Sequence, residues 1–285
     1  MSKSEIVPLI GFGTWKLGGD NKRDPNNDDA RDIAAIRYAI ERGITHIDTA
    51  EIYADGHTET IVSQAIASFA RKSLFLASKV KSQNLSYQGV LDAARRSLDR
   101  LKTDYLDLYY LHSFNPEIPL PQTMRAISEL QESGLIKNIA VSNFSAARIE
   151  AAQKLIKQKI VATQVHYNLR FRGPERLGLL EYCQRNKITM IAWRPVQYGE
   201  FTVPGRYPLL DKICEKYGKS PAQVAMNWIL SKPGVGLLFM SRSPKHIDEN
   251  LGALGWKMEQ VDIDALTNEF PGQESDSDRM PINHA

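Results

Sequence analysis

The sequence predicts a (β/α)8 barrel, and three observations carry that expectation. Strand-like and helix-like runs alternate to the end of the chain. Most of the strand-like runs are short and apolar without polar alternation, as parallel strands covered on both faces are. The length of 285 residues suits one such barrel, whose usual size is ~250 residues.

The strand candidates, in order, are PLIGFG (8–13), THIDTA (45–50), LFLASKV (74–80), YLDLYYLH (105–112), KNIAVSN (137–143), IVATQVHYN (160–168), ITMIAWRP (188–195) and VGLLFMS (235–241). Amphipathic helical patterns lie between them. The run 29–43 stops at Gly43, a residue that ends helices by adopting positive φ. The run 89–102 places Leu91, Ala94, Leu98 and Leu101 on one stripe. The runs 145–158 and 220–232 follow, the latter with Ser220 as N-cap and Pro221 in the first helical position. A doubly wound sheet is the competing architecture. Its first strand should lead into G-x-G-x-x-G, a spacing that GFGTWKLGG (11–19) lacks. Residues 1–285 therefore read as one barrel domain, with a polar insertion at 18–29 and a polar tail from Gly272.

A hydrophobic fraction of 42% supports a buried core and excludes a disordered chain. The formal charge of +3 comes from basic residues spread along the sequence, with no basic run or aromatic-interleaved stripe. No nucleic-acid partner is expected, whereas a small anionic ligand is compatible. Cys183 and Cys214 are too few and too distant for a disulfide framework and are expected as free thiols. No metal-ligand spacing and no membrane span are evident, and a cytoplasmic location is expected.

The chemistry gathers where apolar strands end. Barrel enzymes take catalytic side chains from the C-terminal ends of strands and from the loops beyond. The second strand run ends in Asp48, the third in Lys79 and the fourth in His112. Tyr53 follows Asp48 by five residues, a spacing that no continuing strand or regular helix would place on one face, so the chain is expected to bend between them. Singly, each has a plainer role. Asp48 could cap a turn, Tyr53 pack with a wet hydroxyl, Lys79 reach solvent and His112 make a structural hydrogen bond. Together they form a proton-donating set. Asp48 can supply the charge that a buried Lys79 needs, and an ammonium beside a phenol lowers its pKa. A neutral His112 can then hold a carbonyl oxygen at the phenol's proton.

These motifs carry a resemblance. GITHIDTAEIYADGHTE, SKV, YLDLYYLH and IAVSNFS resemble the successive motifs of the aldo-keto reductases, in order, from GFGTW to HIDENL. The resemblance implies a (β/α)8 barrel and reduction of an aldehyde or ketone by a nicotinamide cofactor, or the reverse alcohol oxidation. Tyr53 would be the general acid, Lys79 and Asp48 would tune it, and His112 would orient the substrate. Ser142, Asn143 and Gln164 would hold the nicotinamide carboxamide and Trp193 would stack on its ring. Ser241, Arg242, Glu249 and Asn250 would meet the adenosine end, and Trp15, Ile52 and Ser113 would line the substrate pocket. Two positions depart from the family pattern: Met240 stands where a lysine often meets the 2′-phosphate, and His246 where an arginine does. Arg242 is expected to substitute, which makes NADP(H) the first cofactor and NAD(H) the second. The loop after the seventh strand, WRPVQYGEF (193–201), also departs from the usual small-residue pattern. Two competing functions share the same residues: a cofactor-sensing binding protein, and a Schiff-base lyase with Lys79 as nucleophile.

Overall fold

The computed structural model describes residues 6–270 together with Ser277, Met280 and Ile282. The rest of the polar tail lies outside the described residues. In chain order the elements are β1 (Ile10–Gly13), α1 (Asp29–Glu41), β2 (His46–Asp48), α2 (His57–Ile66), β3 (Phe75–Val80), α3 (Tyr87–Leu101), β4 (Leu108–Leu111), α4 (Leu120–Glu132), β5 (Ile139–Ser142), α5 (Ala146–Gln153), β6 (Ile160–His166), α6 (Gly173–Arg176), α7 (Leu179–Asn186), β7 (Thr189–Trp193), α8 (Pro208–Tyr217), α9 (Pro221–Leu230), β8 (Val235–Phe239), α10 (Pro244–Leu251) and α11 (Gln260–Glu269). The eight strands pair in parallel in chain order, and β8 closes on β1.

The apolar character of the strands follows from this closure. Each strand turns one face to the helices and the other to the barrel interior, so β2, β4, β5, β6 and β8 are buried at every residue. Ala77, Leu108, Tyr110, Ala140, Ala162, Ile191 and Leu238 form one buried cluster drawn from β3 through β8. Residues of successive strands meet in this way only inside a barrel. The helices pack outside it. On α3, Leu91, Ala94, Leu98 and Leu101 are all buried, as their stripe predicts.

The helix boundaries follow local chemistry. Gly43, at φ +98°, ends α1 and donates its N–H to Ile40 O. Ser220 and Gln223 form a reciprocal capping box on α9, with Pro221 in its first turn. The third helical run is shorter than its sequence pattern. α5 stops at Gln153, whose side chain donates to Ile156 O and Gln158 O and accepts from Ile160 N–H. One amide thus folds the chain back into β6. Among the described residues, no helix is long and apolar enough to cross a membrane. No group of three or more His, Cys, Asp and Glu side chains there could hold a metal ion.

Leu9, just before β1, extends the parallel ladder to β8, where Leu237 N–H donates to Leu9 O at 2.7 Å. A Cβ on Gly236 would lie 2.3 Å from that same oxygen. Because the obstacle is backbone, Gly236→Ala is expected to lower stability by at least ~1–3 kcal/mol. Urea unfolding of the purified variant measures this; an unchanged midpoint would mean that the two segments are not locked together.

Candidate active site

Strand register places the three strand-end residues at one rim. Asp48 pairs with Ala77 and Lys79 with Tyr110, while His112 follows β4 and donates its N–H to Val80 O at 3.0 Å. The Lys79 ammonium is wholly buried. It donates to Asp48 Oδ1 at 2.5 Å and to Thr49 O at 2.8 Å, with Tyr53 Oη at 3.4 Å. An ammonium has three donors, and all three are directed here. Gln164 Nε2 donates to the other Asp48 oxygen at 2.9 Å. The Tyr53 and His112 rings meet edge to face, with centroids 5.8 Å apart.

The bend expected between Asp48 and Tyr53 is present. Tyr53 opens a short 3-10 turn, Tyr53–Gly56, in which Ala54 and Asp55 take left-handed φ of 47° and 54°. That conformation costs about 1–2 kcal/mol per residue. The polar insertion holds it: Ala54 N–H donates to Asp20 O at 2.6 Å and Asp55 N–H to Asn21 O at 3.1 Å. On the other side, Glu51 N–H donates to Lys79 O at 3.2 Å, and the Glu51 carboxylate accepts from Lys81 N–H and Asn84 Nδ2, each at 2.9 Å. The loop carrying Tyr53 is therefore tied to the strand carrying Lys79.

Burial decides the protonation states. The Tyr53 phenol is raised above its ordinary value, because burial outweighs the opposing pull of Lys79 and Asp48 acts with burial. The expectation that Lys79 lowers the phenol holds for its own contribution but not for the net result. Since Asp48 offsets the ammonium charge, desolvation prevails. Burial, helped by the Lys79 charge, pushes the His112 imidazole down to about 3, so the ring is neutral. Burial also opposes the charge on Lys79, but Asp48 and Tyr53 together outweigh it and keep the group an ammonium. A charged amine with all its donors engaged is unsuited to Schiff-base attack.

A cavity of about 900 Å³ opens over these residues, toward the upper end of small-molecule sites. Asp48, Tyr53 and His112 border it, as do Ser142, Asn143, Gln164 and Trp193 on the adjoining strands. These side chains carry the amide and hydroxyl groups that pair with a carboxamide. Gln164 spends its NH2 on Asp48, which leaves its carbonyl oxygen as an acceptor. The Asn143 amide donates to His112 O at 3.1 Å and Ser142 Oγ at 3.0 Å. Ser142 is not the helix cap that its place before α5 suggests; Ser145 caps that helix. His166 covers one face of Trp193, with ring centroids 4.2 Å apart, while Trp193 also borders the cavity. Ser241, Glu249 and Asn250 line the end formed by β8 and α10, together with Met240 and His246. Trp15, Ile52 and Ser113 line the cavity as expected.

Arg242 requires a correction. It does not border the cavity but ion-pairs with Asp32, a buried carboxylate in the first turn of α1, and donates to Lys16 O at 2.6 Å. A buried carboxylate needs a counterion, and Arg242 provides it. Asp32 also accepts from Gly18 N–H at 2.9 Å, so the pair joins the loops after β1 and β8. Sequence reasoning missed other lining residues. Lys81, Ser82 and Gln83 follow β3, and Lys81 had a signal, since it lies two residues beyond Lys79 on the same side of an extended chain. Arg194 and Tyr198 had none. Their place depends on positive φ of 56° and 54° in the loop after β7, which brings Tyr198 to 6.2 Å from the Trp15 ring.

Known proteins share both sequence and fold. The profile of the aldo/keto reductase family matches residues 9–268. Methylglyoxal reductase YeaE of Escherichia coli is 33% identical over 268 residues, covering 93% of this chain and 92% of its own length. A thermostable aldo-keto reductase solved with the inhibitor epalrestat superposes with a TM-score of 0.89 at 38% identity, covering 92% of this chain and 95% of its own. An aldo/keto reductase of Klebsiella pneumoniae, solved with NADP and acetate, gives a TM-score of 0.83 at 31% identity, covering 94% and 93%. With a closed eight-stranded barrel and a family match that spans nearly all of it, the chain belongs to the aldo/keto reductase family.

Proposed function

We propose that this protein is an NADP(H)-dependent carbonyl reductase in which Tyr53 gives its proton to the carbonyl oxygen of a small aldehyde or ketone. The observation that carries the assignment of roles is the buried chain Asp48–Lys79–Tyr53 beside a neutral His112 at one cavity. The bound dihydronicotinamide supplies the hydride that adds to the carbonyl carbon. The residues of the chain do the rest. Ser142, Asn143 and Gln164 hold the carboxamide, and Trp193 offers its ring to the nicotinamide. Tyr53 and His112 both present neutral donors to the carbonyl oxygen, but only Tyr53 stands against a fixed cation. As negative charge develops on that oxygen, the Tyr53 proton moves to it, and Lys79 stabilises the phenolate that remains. Asp48 keeps Lys79 charged and in place. A cytoplasmic setting fits this reading, with Cys183 and Cys214 as free thiols.

At the adenosine end, Ser241, His246 and the start of α10 remain for the 2′-phosphate once Arg242 is engaged by Asp32. Discrimination between NADPH and NADH is therefore expected to be modest.

The acid assignment is tested by Tyr53→Phe. It should keep cofactor affinity and lose about 10²–10⁴-fold in kcat, the usual worth of a placed proton donor. Turnover within a few-fold of the parent would remove Tyr53 from that role.

The pH profile separates tyrosine from histidine. Reduction needs the protonated phenol, so activity should hold through neutral pH and fall only on the alkaline side, with no limb near 6.5 from His112. Lys79→Met removes the one group that lowers the phenol and should move the alkaline limb to higher pH. It also strands Asp48, at a cost of about 3–5 kcal/mol, which the double variant Asp48→Asn/Lys79→Met should partly recover in thermal unfolding. An unmoved limb in Lys79→Met would disprove the coupling.

Met240 borders the cavity and is 37% exposed. Met240→Lys should tighten NADPH by about two- to fivefold, the scale of an exposed ion pair, with little change for NADH. The gain should fade with added salt. Quenching of tryptophan fluorescence by each cofactor measures it, and equal effects on both cofactors would show that this loop does not face the 2′ position.

A further inference from the structure

The wall beyond Tyr53 and His112 comes from the chain that follows β3 and β4: Lys81, Ser82 and Gln83 from the first, Ser113 from the second. In barrel order these strands stand opposite β7 and β8, so this wall is across the cavity from Ser241 and Glu249. Lys81 leaves β3 two residues after Lys79, in extended backbone with φ −70° and ψ 153°. What holds the two lysines differs. The Lys79 ammonium is consumed by Asp48, Thr49 and Tyr53. For Lys81 it is the backbone that is held: its N–H donates to Glu51 Oε1 at 2.9 Å and its carbonyl accepts from Asn84 N–H at 2.9 Å. The Glu51 carboxylate is occupied by that N–H, by Asn84 and by Arg96. Among the described residues, no carboxylate lies within 4.0 Å of the Lys81 ammonium.

The charges around the cavity sharpen the point. The acids that border it are Asp48, neutralised by Lys79, and Glu249 on the far side. Its other cations, Lys16 and Arg194, lie against the rings of Trp15 and Tyr198 between β1 and β7. That leaves Lys81, held by its backbone and without an ion-pair partner among the described residues, as a cation lining the same cavity as Tyr53 and His112. In a cleft with low-dielectric walls, such a charge concentrates anions. We infer that Lys81 selects carbonyl substrates bearing an anionic oxygen group, a carboxylate or a phosphate, a short chain away from the reacting carbonyl. This inference rests on the reductase reading above and narrows its substrate class.

The test pairs substrates that differ only in charge. NADPH oxidation is followed with 4-carboxybenzaldehyde against methyl 4-formylbenzoate, succinate semialdehyde against its methyl ester, and glyceraldehyde 3-phosphate against glyceraldehyde. The parent should favour the charged member by about tenfold in kcat/KM, as for a charge-assisted contact at a partly exposed site. Lys81→Met should bring that ratio close to one, mainly through KM, and Lys81→Arg should keep most of it. A preference confined to the phosphate pair, or to the carboxylate pairs, would identify which anion the site takes. A parent ratio at or below one, or a ratio that Lys81→Met leaves unchanged, would overturn the inference while the reductase reading stands. No turnover of any of the six carbonyl compounds would instead sink the reductase reading, and this inference with it.

Discussion

The Lys79–Asp48 ion pair is the constraint around which the mouth of the barrel is arranged. Taking two opposite charges out of water costs several kcal/mol per ion, and their attraction offsets this only when geometry and further hydrogen bonds are good. Here Asp48 accepts from Lys79 and Gln164, and Lys79 also reaches Thr49 O. The pair therefore joins β2, β3 and β6, three strands that are not all neighbours in the barrel. It also sets where Tyr53 must stand, because the third ammonium donor points at the phenol. The strained turn beyond Tyr53 and the Glu51 carboxylate fix the loop to that demand.

The same burial acts oppositely on the two groups that face the cavity. Desolvation favours the neutral form of any titrating side chain. It raises the Tyr53 phenol and lowers the His112 imidazole, so both are neutral around pH 7. Beneath them Lys79 and Asp48 form a buried ion pair. A neutral phenol next to a cation is a proton donor whose conjugate base is already solvated by the protein. A neutral imidazole that the same cation disfavours from charging, and to which that cation gives no hydrogen bond, is a hydrogen-bond partner. In the proposed mechanism the division of labour comes from where Lys79 stands rather than from the intrinsic acidity of either ring.

Electrostatic resources at the two ends of the cavity are used differently. At the β8 end, the arginine nearest in sequence is spent on structure, since Asp32 would otherwise be a buried charge without a partner. Its ion pair binds the loop after β1 to the loop after β8, and the residues that line this end of the cavity include Ser241 and His246. At the β3 end, the Glu51 carboxylate takes the backbone N–H of Lys81, a residue that lines the cavity. Two cations of equal formal charge are thus held differently: Arg242 by its guanidinium on a buried acid, Lys81 by its backbone N–H on a carboxylate that also takes Asn84 and Arg96.

Much of this was legible in the amino-acid sequence. Short runs identify the eight strands, and most of them are apolar because a parallel strand covered on both faces tolerates little polar alternation. Polar residues that close such runs emerge at the barrel rim, and this locates Asp48, Lys79, His112 and Ser142 without knowledge of their partners, while Gln164 is carried within the sixth run. The five-residue step from Asp48 to Tyr53 signals a bend, since neither regular period accommodates it. Tertiary structure alone decided the rest. Arg242 and Asp32 are 210 residues apart in sequence, and only closure of the barrel through β8 and β1 brings them together. The net direction of the Tyr53 shift depends on total burial, a sum over atoms from several strands. The early end of α5 turns on one glutamine side chain, and the place of Tyr198 on left-handed backbone at residues that seldom adopt it. Periodicity records which way a side chain faces; the partner it meets there is set by long-range packing, which leaves no mark at short sequence separation.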